Sequence, residues 1–208
     1  MDPYVSRFRR LALSAAIGAG MLGGCALTTR NATLIYPPAS SQGAVAVAQA
    51  ATPSAPSGIT IAVLPFVDQR SDKTKVGDVR NGFGMKLAPI RTVNSVPEWV
   101  RDAVALELKN AGYNAATSTT VADSSLAVEG DILNVRADAY LSYGGTVELL
   151  IRLRKGGREL IRHTYAGKGS AGTSWGATAK SYAQSLALAL ADALRQIVPD
   201  VERATTSD

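Results

Sequence analysis

The chain holds one cysteine, Cys25, and one histidine, His163, among its 208 residues. One histidine can fill one corner of a metal site and no more, and one cysteine excludes an intramolecular disulfide. Neither H-E-x-x-H nor G-x-x-x-x-G-K-[ST] occurs. His163 lies in a run that reads as a strand, with Ile161 and Tyr165 on its side, which is the setting of a surface histidine. The residue types therefore point to no catalytic group, no metal and no cofactor.

The densest polar cluster is Asp68-Gln69-Arg70, followed by Asp72 and Gly77. It comes directly after an apolar run, so it sits at the end of a buried strand, a place that suits a partner-binding loop. The alternative is that Asp68 caps the loop and pairs with Arg70 to fix the strand exit. No second carboxylate pair or nucleophile accompanies the cluster, which favours the structural role.

G-x-G-x-x-G occurs twice, at Gly18-Ala-Gly20-Met-Leu-Gly23 and at Gly167-Lys-Gly169-Ser-Ala-Gly172. The second follows a strand and precedes a helix. A dinucleotide fingerprint, however, opens a parallel βαβ unit with an acidic residue about 20 positions later. Here the preceding strand belongs to an antiparallel hairpin and no strand follows the helix. A flexible loop from Gly167 to Ser174 is the expectation, and nucleotide binding is not.

The elements that position these residues follow from periodicity and punctuation. Ile59 to Val67 is a continuous apolar run, as in a buried strand, with Pro65 placing its later half at an edge or bulge. Val79 to Thr92 carries three breaks and reads as one or two short strands. Ser95-Val96-Pro97-Glu98 is a capping box with Pro just inside the start. Val96, Val100, Val104, Leu108 and Ala111 then recur at helical spacing, and Gly112 stops the helix. Tyr113 to Thr117 reads as a short strand, and Leu126 to Tyr140 as a strand with a bulge near Gly130-Asp131. Thr146 to Leu153 alternates cleanly; Gly156-Gly157 turns it into Arg158 to Ala166. Tyr182, Leu186, Ala189, Leu190, Ala193, Leu194 and Ile197 form one stripe of a last helix that Pro199 is expected to end. The sum is an α+β domain: a mixed, mostly antiparallel sheet of about five strands with two amphipathic helices on one face.

The amino terminus has a different logic. Arg7, Arg9 and Arg10 precede an uncharged run from Leu11 to Leu22. Its 12 residues would span about 18 Å as a helix, short of the roughly 30 Å needed to cross a bilayer. This is the h-region of a signal peptide. Leu22-Gly23-Gly24-Cys25 resembles a bacterial lipobox. That resemblance implies cleavage between Gly24 and Cys25, diacylglycerol on the Cys25 thiol and acylation of the new amine. Three acyl chains exceed the two signals that stable anchoring requires. Ala26 in second place resembles the Gram-negative sorting signal for the inner leaflet of the outer membrane, facing the periplasm.

Residues 1–24 carry a charge of +2, so the whole-chain +5 falls to +3 once they are removed. The remaining charges are interspersed, with no basic run and no interleaved aromatics, so nucleic acid is not an expected partner. From residue 25 to 57 the composition is Ala, Ser, Thr and Pro with one charge, Arg30, which reads as a tether. Within it, Thr33 to Tyr36 is an apolar island that either adds an edge strand or belongs to the linker. The domain is expected over 58–200, with a polar tail over 201–208.

The strand Ile59–Val67 running into Asp68-Gln69-Arg70, Gly77, the helix ending in Gly112-Tyr113 and the last helix closing at Asp200 resemble the YajG-type lipoproteins. These are small outer-membrane lipoproteins of unestablished biochemical role. The IAVLPF strand is more loosely similar to envelope domains of the TolB amino-terminal region, CsgG and the LpoB-type activators of peptidoglycan synthases. The resemblance implies a non-enzymatic protein-interaction or assembly module whose partner is another envelope protein. The alternative is a carrier binding lipid or glycan in a cleft between sheet and helices.

Overall fold

A computed structural model of the chain describes residues 28–36, 58–120, 126–139, 142–172 and 178–206. Cys25, Gly24 and the first glycine-rich motif lie outside the described residues. Nine strands and two helices follow in the order β1 (Arg30–Ala32), β2 (Thr60–Val63), β3 (Val67–Asp68), β4 (Lys75–Arg80), β5 (Lys86–Thr92), α1 (Val96–Asn110), β6 (Asn114–Thr117), β7 (Leu126–Ala139), β8 (Tyr143–Lys155), β9 (Arg158–Ser170) and α2 (Ala179–Thr206).

β7 is the spine of the one sheet. Along one edge it pairs antiparallel with β8 over its whole length, and β8 in turn pairs with β9 across the Gly156-Gly157 turn. Its other edge is served in succession, all parallel, by β2 at 126–128, β3 at 131–132 and β4 at 137–139. The apolar run broken at Pro65 and the segment after Gly77 are thus three pieces of one interrupted strand, and residues 69–74 are the excursion between the last two. Beyond β4 lie β5 and then β1; beyond β2 lies β6.

This corrects the expectation of about five, mostly antiparallel, strands. Among the described residues there are nine, and five of the eight pairings are parallel. The reason is physical. An antiparallel hairpin leaves a local turn signal, whereas parallel partners such as Ile61 and Leu126 are far apart in sequence and leave none. Short strands of two to four residues also fall below any periodicity. The apolar island Thr33 to Tyr36 is not itself the edge strand: β1 is Arg30–Ala32, just before it and beside β5, and the island follows without strand pairing, its Leu34 buried.

Both helices bury their stripes in one continuous core with the inward sheet residues. Ser95 caps α1 as its spacing requires, its hydroxyl accepting from the Glu98 N–H at 3.3 Å. α2 does not stop at Pro199 but continues to Thr206. Val201 is buried beyond the proline, and Tyr113 Oη lies 3.3 Å from Thr205 Oγ1, so packing overrides the missing N–H. The bulge in β7 falls between Ile132 and Asn134 rather than at Gly130-Asp131.

Candidate functional site

Two polar regions and one glycine cluster hold the residues that sequence brings forward. The first is the excursion between β3 and β4. Asp68 closes β3 in the row of Ile132, which tucks its side chain under the loop at 6% exposure, with Arg70 at 8%. Arg70 grips it bidentately, Nη2 to Oδ2 at 2.7 Å and Nε to Oδ1 at 2.9 Å, while the Arg70 backbone N–H adds 3.1 Å to Oδ1. The same guanidinium donates to the Lys73 and Lys75 carbonyls at 2.7 and 2.8 Å, and Lys73 Nζ donates to the Asp68 carbonyl. Burial alone would raise the Asp68 carboxyl, but the hydrogen bonds and charge of Arg70 outweigh it and hold the group below the usual carboxylate range.

Asp72 closes the loop differently. Its Oδ1 accepts from Thr74 Oγ1 at 2.9 Å and from the Thr74 and Lys75 N–H groups at 3.1 Å, and its Oδ2 lies 3.2 Å from Arg91. The Thr74 hydroxyl leads the contacts that lower its pKa. Asp68, Arg70 and Asp72 are therefore brought together, but each is spent on the chain itself. The arrangement braces the loop.

The second region is the sheet face turned away from the helices. Even-spaced residues of β7 and β8 form a cross-strand charge ladder. Asp131 accepts from Arg152 Nη1 at 2.8 Å and from Gln69 Nε2 at 3.0 Å. Burial would raise the Asp131 carboxyl, but these two donors hold it low. Glu129 lies 3.4 Å from Arg152 Nε and 3.3 Å from Arg154 Nη1. Farther along, Asp138 joins Arg80 at 3.1 Å to Arg136 at 2.8 Å. Thr146, Arg136, Thr164 and Lys168 stand exposed on this face, and no described element covers it. The alternation of charges in β7 and β8 is the signal that marks it in the sequence.

The glycine cluster is a seat for a helix. Gly167 and Gly169 lie inside β9, which runs to Ser170, so the expected loop from Gly167 is a strand. A Cβ on Gly167 would stand 2.0 Å from the Ala189 carbonyl oxygen, and one on Gly169 would stand 2.4 Å from Ser185 O. Missing side chains here let the backbone of α2 rest on the sheet, opposite its small residues Ser185, Ala189 and Ala193.

His163 is exposed on β9, its ring edge-on to Tyr165 at 4.8 Å between centroids. Gly172 to Gly176 spells G-x-S-x-G, the pattern of a nucleophile elbow. Its Ser174 lies outside the described residues. Among the described residues no three His, Cys, Asp or Glu side chains could hold a metal ion. Leu149, Ile151, Leu153, Leu186, Leu190 and Leu194 fill the space between β8 and α2, each below 2% exposure, so these elements leave no cleft for a carried lipid or glycan. Grooves of about 320, 370 and 520 Å³ lie elsewhere and open to solvent; the widest is lined by Arg162, His163, Asp200 and Arg203. No described helix is long and apolar enough to cross a membrane.

No family model and no curated protein matches the chain. Among solved structures, a protein of Xanthomonas campestris described as a member of family DUF330 is similar at a TM-score of 0.57 and 17% identity, over 87% of this chain and 98% of its own. A second, described only as an uncharacterized protein, gives 0.55 at 8% identity, over 84% and 99%. At such identities the likeness is one of fold, and the resemblance to the YajG-type lipoproteins rests on the sequence motifs alone. The chain has the fold of the DUF330 protein.

Proposed function

We propose that the chain is a lipid-anchored protein of the bacterial cell envelope whose domain works as a non-enzymatic interaction or assembly module. Cys25 would tether it to the inner leaflet of the outer membrane, facing the periplasm, through the segment before the domain. The partner is another envelope protein.

One observation carries the interaction role. The outer face of β7, β8 and β9 is a broad, ordered surface of paired charges with no described element over it. Side chains already locked in ladders, such as Arg152 between Glu129 and Asp131, lose little rotamer freedom when a partner docks. The support for the anchor is Leu22 to Cys25 with Ala26 behind it.

The test is a photo-crosslinking residue placed, in cells making the full chain, at Arg136 or Thr146 on this face, and at Lys180 or Arg195 on the outer side of α2. A discrete heavier adduct from the first pair and not the second is expected. Recovery of only free protein from all four positions would overturn the reading.

A further inference from the structure

The hairpin joining β4 to β5 carries two exposed apolar side chains, one of them the most exposed large apolar residue in the described chain. Phe83 is 88% exposed and Met85 58% exposed, and neither is needed for the core. A floppy loop with two stray apolar residues would mean little. This loop is built. Asn81 Oδ1 accepts from the Phe83 and Met85 N–H groups, both at 3.0 Å. The Asn81 N–H donates to the Met85 carbonyl at 3.0 Å, and the Gly84 N–H to the Asn81 carbonyl at 2.9 Å. Arg80 Nη1 donates to the Gly84 carbonyl at 2.8 Å, and Gly84 takes φ +79°, which a side chain would resist. The backbone of the tip is satisfied from within, so it presents Phe83 and Met85 outward in one arrangement. No residue from Asn81 to Met85 is charged.

The position of the tip is the second observation. β1 runs parallel to β5 with Arg30 beside Ile90, so the chain enters β1 from the end of the sheet where the hairpin lies. Arg30 stands level with a point five residues along β5 from Met85, about 17 Å. Cys25 is five residues before Arg30, so covalent reach keeps it within about 17 Å of that residue. The point from which the chain enters β1 and the apolar tip therefore belong to one end of the domain, and Cys25 is within short covalent reach of that entry. The Gly156-Gly157 turn lies at the other end, the full length of β7 away.

We propose that Phe83 and Met85 form a second membrane contact, inserting into the headgroup region of the bilayer that holds Cys25 and so fixing the orientation of the domain on it. The inference rests on the lipid-anchor reading above. Two apolar side chains would not hold a soluble protein on a membrane. Beside a covalent anchor they need only win an intramolecular equilibrium, where effective concentration replaces affinity. Lys86, 57% exposed at the base of the tip, shares the Asp78 carboxylate with Lys75, so this group of three keeps a net positive charge that anionic headgroups attract. A protein socket for the knob is the competing occupant, and a depth measurement separates the two.

The experiment uses the acylated full chain in phosphatidylethanolamine–phosphatidylglycerol vesicles. Phe83→Cys, Met85→Cys and, at the far end, Arg158→Cys each receive a polarity-sensitive thiol dye, the Cys25 thiol being closed by its thioether. Dyes at 83 and 85 should be quenched by brominated lipids at a depth within about 5–10 Å of the headgroup–acyl boundary, and the dye at 158 by aqueous iodide only. Met85→Cys retains Phe83, so loss of the aromatic in Phe83→Cys does not decide the result. Equal iodide quenching at all three positions, with acylation confirmed by mass on the same sample, overturns the inference and leaves the anchor standing. A chain that carries no acyl mass overturns the anchor reading and this one with it.

Discussion

β4 is entered and left by two loops made on one plan. Before it, residues 69–74 are braced by an arginine that donates to backbone carbonyls and by the carboxylate of Asp72, which accepts from the amides of Thr74 and Lys75. After it, residues 81–85 are braced by Arg80, donating to the Gly84 carbonyl, and by the amide of Asn81, which accepts from Phe83 and Met85. The difference is in what each loop leaves over. The first spends its charged side chains on bonds within the chain; the second satisfies its backbone and presents two apolar side chains. A cluster rich in chemistry-bearing residue types is not thereby a site, and a plain hairpin can be the part that meets something else.

The largest effect should come from breaking the brace of the first loop. Arg70→Ala leaves the Asp68 carboxylate, 6% exposed, without its bidentate partner. Loss of one partner of a buried pair costs about 3–5 kcal/mol, read as a lower urea midpoint with unchanged slope. An Arg70→Ala protein as stable as the parent would mean that the pair is ornamental and that the loop is free for another role.

The next effect separates the loops by chemistry, since a carboxylate titrates and an amide does not. The Asp68 and Asp72 pKa values lie below the ordinary 3.8 in the folded chain. Their ionised forms thus favour the native state, and that stability is present above pH 3.8 and lost as pH falls through the lower folded values. On moving from neutral to strongly acidic buffer, amide hydrogen exchange at Thr74 and Lys75, corrected for intrinsic rate, should lose protection. Phe83 and Met85 amides, held by Asn81, should keep theirs until the whole domain unfolds. Equal loss at both loops would erase the distinction.

How much of this was legible in the sequence follows the same division between local and distant causes. The capping box at Ser95, the turn at Gly156-Gly157 and the stripe from Tyr182 to Ile197 are local signals, and the structure has a cap, a hairpin and a buried helix face there. The structural alternative for Asp68 and Arg70 was also readable, because residues i and i+2 at a strand exit reach each other whatever the rest of the fold does. The parallel neighbours of β7 were not, since β2, β3 and β4 are set beside it by the core and not by any turn. Nor were Gly167 and Gly169, whose letters fit a phosphate loop as well as a helix seat; only the position of Ala189 tells them apart. Phe83 and Met85 gave no signal, because in sequence an exposed apolar pair in a short strand region looks like core.

The smallest effect on stability belongs to the hairpin tip. Phe83→Ser removes an aromatic ring that is 88% exposed and leaves untouched the Asn81 bonds, which use backbone N–H groups. The urea midpoint of the domain should move by no more than about 0.5 kcal/mol equivalent, as for ordinary surface changes. A tip that serves the fold would instead show a loss of the size seen on truncating a packed aromatic, about 3–5 kcal/mol. Paired with Arg70→Ala, the measurement asks whether stability and surface function have been assigned to opposite ends of one six-residue strand. A near-silent Phe83→Ser beside a costly Arg70→Ala is the outcome that the bonding of the two loops requires, because one ring faces water and the other group faces a buried charge.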